Sequence, residues 1–196
     1  VQTHLRPLTP WLFFSCPSAL KRPVRCNENA MRAWFDVAQL PVTAEHEDTP
    51  EGLGEAMKLV HERLEHLEHS LSILPCRIIL GGFGQGASLA IAAGVAYHKR
   101  LGGILSHSGW VCQPYDLQNI GSATPNRSTP IMMIHGRDDE MVEISAADVG
   151  ADALRRAGLN VIAKKFEGVG HGMVPETLSL TVDFLRTRLP VNPESM

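Results

Sequence analysis

Three short segments contain the residues whose types and spacing could perform chemistry. The glycine-rich turn GGFGQG has Gly84 at its centre, HGRDDE contains Asp139, and GVGHGM contains His171. A nucleophile on a sharp turn, followed along the chain by a carboxylate and then by a histidine, is an arrangement that performs acyl transfer. The chain therefore has the acid and the base of such a site, with glycine where the nucleophile would stand.

The chemistry explains why these residue types matter together. A serine hydroxyl is a poor nucleophile until an imidazole takes its proton, and a carboxylate orients that imidazole and stabilises its charged form. Taken singly, Asp139 is an ordinary loop or helix-cap residue and His171 an ordinary hydrogen-bonded loop residue. Their order along the chain, each after a predicted strand, favours a catalytic pair.

Strands that alternate with helices are predicted to position these segments. Continuous apolar runs, typical of strands covered on both faces, predict five strands over residues 11–16, 76–82, 102–108, 130–136 and 160–168. Helical spacing and capping signals, including Thr49 as a predicted N-cap, predict four helices over residues 49–71, 85–98, 144–157 and 175–188. The predicted fold class is α/β, with a mostly parallel sheet covered by helices on both faces. The carboxyl ends of its strands would bring the three segments to one edge.

Length and composition exclude several classes of protein. The 196 residues fit one domain spanning 1–196, and 44% apolar and 20% charged residues are typical of a globular protein. A net charge of −3 without a basic stripe argues against a nucleic-acid partner. The longest apolar run, residues 89–97, is too short to span a bilayer. Four cysteines without a C-x-x-C pair favour reduced thiols and a cytoplasmic location.

Longer segments resemble the acyl-protein thioesterase and phospholipase/carboxylesterase family of α/β-hydrolases. RIILGGFGQGASLA (77–90) is similar to the family's RIxLGGFSQGG, and PSALKRPVRCNENAMRAWFDV (17–37) to its P-x-APxRPVTxNxGxxMxAWFD. GVGHGM (168–173) resembles its histidine loop. The resemblance implies an α/β-hydrolase fold and hydrolysis of carboxylic esters or thioesters, without a cofactor or metal. The implied substrates are acylated proteins, lysophospholipids or small esters, with at most transient membrane contact.

The resemblance also implies a role for each residue of the site. Asp139 corresponds to the acid, His171 to the base, and the backbone N–H of Gln85 to one oxyanion donor. Gly84 occupies the nucleophile position. Phe83 and Trp110 are candidates to line the acyl pocket, although core packing is the commoner role for a tryptophan after a strand.

Gly84 departs from the family pattern because glycine has no hydroxyl. The serines nearby, Ser88, Ser106 and Ser108, do not lie at the centre of the turn, so a substitute nucleophile is not favoured. We therefore expect this chain to be nearly inactive as a serine hydrolase. The alternative is a non-catalytic protein that binds acyl groups or partners through the same pocket.

A second departure lies before Trp11, where the family has a strand and a loop that supplies the other oxyanion donor. We expect an N-terminally shortened sheet in which the strands over 11–16 and 76–82 pair directly or leave a gap.

Other histidines are assigned structural roles. His66 and His69 share one face of a predicted helix, but a charged solvent-exposed face is favoured over a metal site there. His135 precedes the acid by four residues and is expected to be structural.

Overall fold

The computed structural model describes residues 2–45, 50–112 and 117–190. In chain order, the elements are α1 (Gln2–Leu5), β1 (Lys21–Val24), β2 (Asn27–Arg32), α2 (Leu53–Leu71), β3 (Ile79–Phe83), α3 (Gln85–Ala96), β4 (Gly103–His107), α4 (Leu117–Ala123), β5 (Ile131–Gly136), α5 (Ile144–Arg156), β6 (Val161–Phe166) and α6 (Pro175–Arg188). Short 3-10 turns follow α1 and precede β3, at Arg6–Leu8 and Pro75–Arg77.

A four-stranded parallel sheet forms the centre of the described fold, in the order β3-β4-β5-β6. Every residue of β4 and β5 is buried, which is why these strands read as continuous apolar runs in the sequence. The predicted α/β class and four of the five predicted strands are confirmed. The carboxyl ends of these strands meet at one edge, as the three chemical segments require.

Helices cover both faces of this sheet. On one face, side chains of α2, α3 and α5 pack with Ile104 and Ile131 into the main apolar core. On the other face, Phe184 of α6 packs against Leu105 of β4 and Ile134 of β5. Alternate residues of each strand thus point into separate cores, which gives the sheet two buried faces.

The predicted strand over residues 11–16 is wrong, because this segment forms no regular secondary structure. Leu12 and Phe14 pack beside α6 and Ile79, whereas the Phe13 side chain is 65% exposed. A strand needs a neighbouring ladder to hydrogen-bond its backbone, and no strand of the described sheet pairs with this segment. The expected direct pairing of residues 11–16 with the strand after Pro75 is therefore also wrong, and β3 is a terminal strand of the described sheet.

A small antiparallel hairpin, β1–β2, is an element that the sequence patterns did not predict. All six residues of β2 are exposed, so no apolar alternation marks the strand. Asp36 holds the turn of the hairpin, because its carboxylate accepts hydrogen bonds from the backbone N–H and the guanidinium of Arg25.

The helix predicted from residue 49 begins later, at Leu53, after Gly52 in a left-handed conformation with φ 85°. The predicted N-cap, Thr49, lies outside the described residues. None of the described helices combines the length and the apolar composition that a bilayer span needs.

The junction of β3 and α3 depends on glycine at residue 82. A Cβ at Gly82 would lie 2.2 Å from the backbone of Gly86, whereas a Cβ at Gly86 would meet nothing closer than 3.8 Å. We expect Gly82→Ala to lower the free energy of unfolding by about 1–3 kcal/mol, because backbone must move to admit the methyl group. Urea unfolding followed by circular dichroism measures the effect. Gly86→Ala is the matched control and should be neutral or slightly stabilising within its helix; equal stability of the two variants would contradict the close approach.

Candidate active site

A sharp turn between β3 and α3 presents Gly84 at the carboxyl edge of the sheet. Its backbone angles, φ 53° and ψ −123°, lie in a region that side-chain-bearing residues rarely adopt. The Gly84 N–H donates to the carbonyl of His107 on the next strand at 2.9 Å, and its carbonyl accepts from Ala87 at 3.0 Å. The turn is therefore fixed by both the sheet and the helix that it joins.

The direction of a side chain at residue 84 leads to His171. A Cβ built on Gly84 would lie 3.2 Å from Nε2 and 3.5 Å from Cε1 of the His171 ring. A hydroxymethyl group in this position would therefore bring its oxygen within hydrogen-bonding reach of that nitrogen. The structure thus brings residue 84 and His171 together from segments that are far apart in the chain.

Asp139 holds the other side of the His171 ring. Nδ1 of His171 lies 3.0 Å from Oδ1 and 2.9 Å from Oδ2 of Asp139. The carboxylate only accepts, so Nδ1 carries the proton and Nε2 is left as an acceptor facing residue 84. The Asp139 side chain is fully buried, while that of His171 is 25% exposed. This is the geometry of a general base with its orienting acid.

Two backbone donors keep the Asp139 carboxylate charged. The N–H groups of Met141 and Val142 each donate to Oδ1 at 2.9 Å. Burial alone would raise the pKa of this carboxyl, but the bonds from Val142, His171 and Met141 lower the pKa below its ordinary value. An ionised carboxylate is therefore maintained in a buried position, where it acts strongly on the imidazole.

The side chain of Gln85 anchors the turn to the segment that follows the hairpin. Its Oε1 accepts from the Trp34 N–H at 2.9 Å, and its Nε2 donates to the Phe35 carbonyl at 2.8 Å. The backbone N–H of Gln85 opens α3, and the first N–H groups of a helix have no acceptor within the helix. The role of that N–H as an oxyanion donor stays a prediction.

The serines near the turn are all buried. Ser88 is fully buried and accepts a hydrogen bond from the Trp110 N–H at 3.0 Å. Ser106 and Ser108 are also buried, with exposed fractions of 1% and zero. A buried hydroxyl on the flank of the helix or in the sheet is not presented to a substrate.

The two candidate pocket residues lie in different places. Phe83 precedes the turn and meets the His171 ring edge-on, with ring centroids 4.7 Å apart. Trp110 is 7% exposed and belongs to the main core, where it packs edge-on against Phe35 at 6.1 Å. Phe83 is therefore beside the base, and Trp110 packs beneath the site.

Two further histidines lie near the Asp139–His171 pair. Nε2 of His135 donates to the Val142 carbonyl at 2.8 Å and lies 3.4 Å from the Asp139 carboxylate, so it supports the acid loop. His107 stacks on Phe83, and its two ring nitrogens are buried without a hydrogen-bond partner among the described residues. Sequence reasoning missed His107, and its signal was a polar residue at the end of the apolar run GGILSHS.

Burial, together with the nearby His135 and His171 rings, lowers the pKa of His107 from 6.5 to about 4. The unfolded chain therefore binds a proton that the folded chain excludes between these values, and folding becomes less favourable as the pH falls through this window. Between pH 7.5 and pH 5.0, the free energy of unfolding of the parent chain should therefore fall by about 2 kcal/mol more than that of His107→Leu.

Urea unfolding of both proteins at the two pH values measures the His107 contribution to stability. His66→Gln, which replaces a histidine exposed on α2, is the control for the loss of a histidine elsewhere in the fold. Parallel pH curves for the parent chain and His107→Leu would contradict the prediction.

No group of histidine, cysteine or acidic residues within the described ranges is arranged to hold a metal ion. His66, one of the pair considered on the α2 face, lies 3.2 Å from the Ser70 hydroxyl.

Comparison with known proteins identifies the family of this chain. Residues 9–189 match the model of a family described as phospholipase/carboxylesterase. Acyl-protein thioesterase 1 of Gibberella zeae is 36% identical over 183 residues, covering 90% of this chain and 77% of that protein. The crystal structure of Arabidopsis thaliana SOBER1 superposes with a TM-score of 0.80 at 34% identity, covering 88% of this chain and 82% of that one. The crystal structure of Zea mays acyl-protein thioesterase 2 superposes with a TM-score of 0.71 at 30% identity, covering 89% of this chain and 80% of that one.

The matched range includes the glycine turn, the acid loop and the histidine loop, so the likeness extends to the segments that form the site. The chain belongs to the phospholipase/carboxylesterase family of α/β-hydrolases.

Proposed function

We propose that this chain carries the site of a serine carboxylesterase or acyl-protein thioesterase in which Gly84 replaces the nucleophile. The observation that supports this most directly is the 3.2 Å separation between a Cβ at residue 84 and Nε2 of His171. The same histidine is held by a buried, ionised Asp139. The acid, the base and one proposed oxyanion donor of an acyl-transfer site are therefore represented, whereas the hydroxyl is not.

In a chain with serine at residue 84, the reaction would follow from these positions. Nε2 of His171 would accept the hydroxyl proton as the oxygen attacks the acyl carbonyl, and Asp139 would stabilise the resulting imidazolium. The Gln85 N–H would donate to the developing oxyanion. His171 would then protonate the leaving group, and water would release the acyl group by the reverse sequence of proton transfers. None of these steps uses a cofactor.

The substrates that we propose are acylated proteins, lysophospholipids and small carboxylic esters. Relatives named as acyl-protein thioesterases and carboxylesterases support this range. We propose a cytoplasmic location with at most transient membrane contact, in keeping with the reduced-thiol interpretation of the cysteines.

Labelling with a fluorophosphonate probe tests the proposed site. The probe phosphonylates an activated serine, so the parent chain should remain unlabelled and Gly84→Ser should gain one adduct, located by peptide mass analysis at residue 84. Adding His171→Gln to Gly84→Ser should abolish the adduct, because the hydroxyl loses its base. Labelling of the parent chain would show that the nucleophile lies elsewhere.

The second candidate function is a non-catalytic acyl-binding protein. Gly84 itself favours it, because glycine at the turn removes the nucleophile while relieving the backbone conformation with φ 53°. A folded Gly84→Ser variant that binds a long-chain acyl ether analogue but neither labels nor turns over an ester would favour this second function.

A further inference from the structure

Glycine at the turn leaves Nε2 of His171 facing a backbone without a side chain. Consider the point where a Cβ on Gly84 would lie. Among the described residues other than the neighbours Phe83 and Gln85, only the His171 ring has atoms within 4 Å of that point. A serine side chain would place two heavy atoms in this direction, whereas a water molecule is one. A water oxygen at about 2.8 Å from Nε2, an ordinary hydrogen-bond length, therefore fits the space that a hydroxymethyl group would take.

We propose that the Asp139–His171 pair of this chain activates a water molecule directly and hydrolyses esters or thioesters without an acyl-enzyme intermediate. This inference rests on the proposed function, because it uses the same acyl substrate and the same site. It differs from that function in the nucleophile, which comes from solvent.

The catalytic pair retains what a general base needs. Asp139 fixes the Nδ1 proton with contacts of 2.9 and 3.0 Å, which leaves Nε2 as the acceptor. The His171 side chain is 25% exposed, so solvent reaches the ring. The Phe83 ring packs edge-on against the imidazole, with ring centroids 4.7 Å apart. An oriented, accessible base of this kind accelerates attack by water by about 10²- to 10⁴-fold.

The proposed reaction balances with water as the only co-reactant. The water oxygen forms a bond to the acyl carbon while one of its protons passes to Nε2 of His171. The tetrahedral intermediate, with its oxyanion near the Gln85 N–H, then breaks the bond from carbon to the leaving sulfur or oxygen. The proton on Nε2 passes to the leaving group, giving a carboxylic acid and a thiol or alcohol, and His171 returns to its neutral form.

The absence of a tethered hydroxyl makes this route slow. A nucleophile attached to the turn has an effective concentration that free water cannot match, so the rate should stay well below that of Gly84→Ser. The rate should nevertheless depend on the histidine.

The test measures hydrolysis of p-nitrophenyl butyrate by the parent chain, His171→Gln and His66→Gln, each verified as folded by circular dichroism. We expect His171→Gln to lower kcat/KM by about 10²-fold and His66→Gln, which changes an exposed histidine, to leave it unchanged. Gly84→Ala should also lower the rate, because its methyl group would lie 3.2 Å from Nε2 and displace the water. Methanol should accelerate consumption of the ester and yield methyl butyrate, and mass spectrometry during turnover should find no acylated protein.

Three results would overturn the inference: no turnover by the parent chain, equal rates for the parent chain and His171→Gln, or an acyl adduct on the protein. Gly84→Ser separates this failure from that of the proposed function. If Gly84→Ser labels and turns over while the parent rate is independent of His171, only the inference fails. If Gly84→Ser is folded but neither labels nor turns over, the proposed function itself fails.

Discussion

Gly84→Ser is expected to raise the turnover of p-nitrophenyl butyrate on the order of 10⁴- to 10⁶-fold, because it supplies the missing nucleophile. The Cβ of the new side chain would lie 3.2 Å from Nε2 of His171, so a shift of the ring by a few tenths of an ångström would admit the side chain and keep its hydroxyl within reach of the base. The Gln85 N–H would already stand at the start of α3 to meet the oxyanion. Steady-state kinetics at saturating ester measures the gain in kcat.

The same substitution should cost stability. A side chain at residue 84 must adopt φ near 53° and ψ near −123°, angles that glycine tolerates and that other residues rarely adopt. We expect Gly84→Ser to lower the free energy of unfolding by about 1–3 kcal/mol. Gly84→Ala is the matched control, because it carries the same backbone strain without a hydroxyl and should gain no acyl-enzyme turnover. A folded Gly84→Ser protein with the kcat of the parent chain would contradict the assignment of residue 84.

Asp139→Asn in the Gly84→Ser background is expected to lower kcat on the order of 10⁴-fold. The Asn carbonyl would keep the bonds from Met141 and Val142, both 2.9 Å in the parent chain, so the loop should hold its shape. Its amide would then face Nδ1 of His171 as a donor. That contact places the imidazole proton on Nε2, where it can no longer accept the hydroxyl proton.

Asp138→Asn in the same background is the matched control for this prediction. Asp138 is exposed, and its backbone N–H donates a 3.0 Å hydrogen bond to the Val169 carbonyl. Its replacement should leave kcat within a factor of about two, because surface changes away from a site are nearly neutral. If Asp138→Asn lowered kcat and Asp139→Asn did not, the acid would be misassigned.

The central strands could be predicted from sequence because burial on both faces produces continuous apolar runs. Residues of β4 and β5 are all buried, and their apolar runs reveal them. Residues 11–16 show the same composition without being a strand, since composition records the tendency to be buried and not the presence of a neighbour to pair with. The hairpin β1–β2 escaped notice for the opposite reason, because β2 is wholly exposed and Val24 is the one buried residue of β1, so neither strand shows an apolar alternation.

The main residues of the candidate site could be predicted from sequence, but the contacts that hold them in place could not. Gly84, Asp139 and His171 each follow a strand, and parallel strands bring such positions to one edge. The side-chain bonds of Gln85 to the Trp34 and Phe35 backbone join residues about fifty positions apart, which no local pattern encodes. The burial of His107 depends likewise on Phe83 and on the layers above and below the sheet.

The Gln85 bonds have a consequence for how the molecule opens. Both polar atoms of this amide are engaged inward, so the glycine turn and the backbone at Trp34–Phe35 form one cooperative unit. A fluctuation that detaches residues 33–36 from the Gln85 side chain would loosen the start of α3 while leaving the Asp139–His171 contact intact. Protection of the amides at the glycine turn against hydrogen exchange should therefore follow the protection of residues 33–36. It should follow the protection of the amides at Asp139 and His171 less closely.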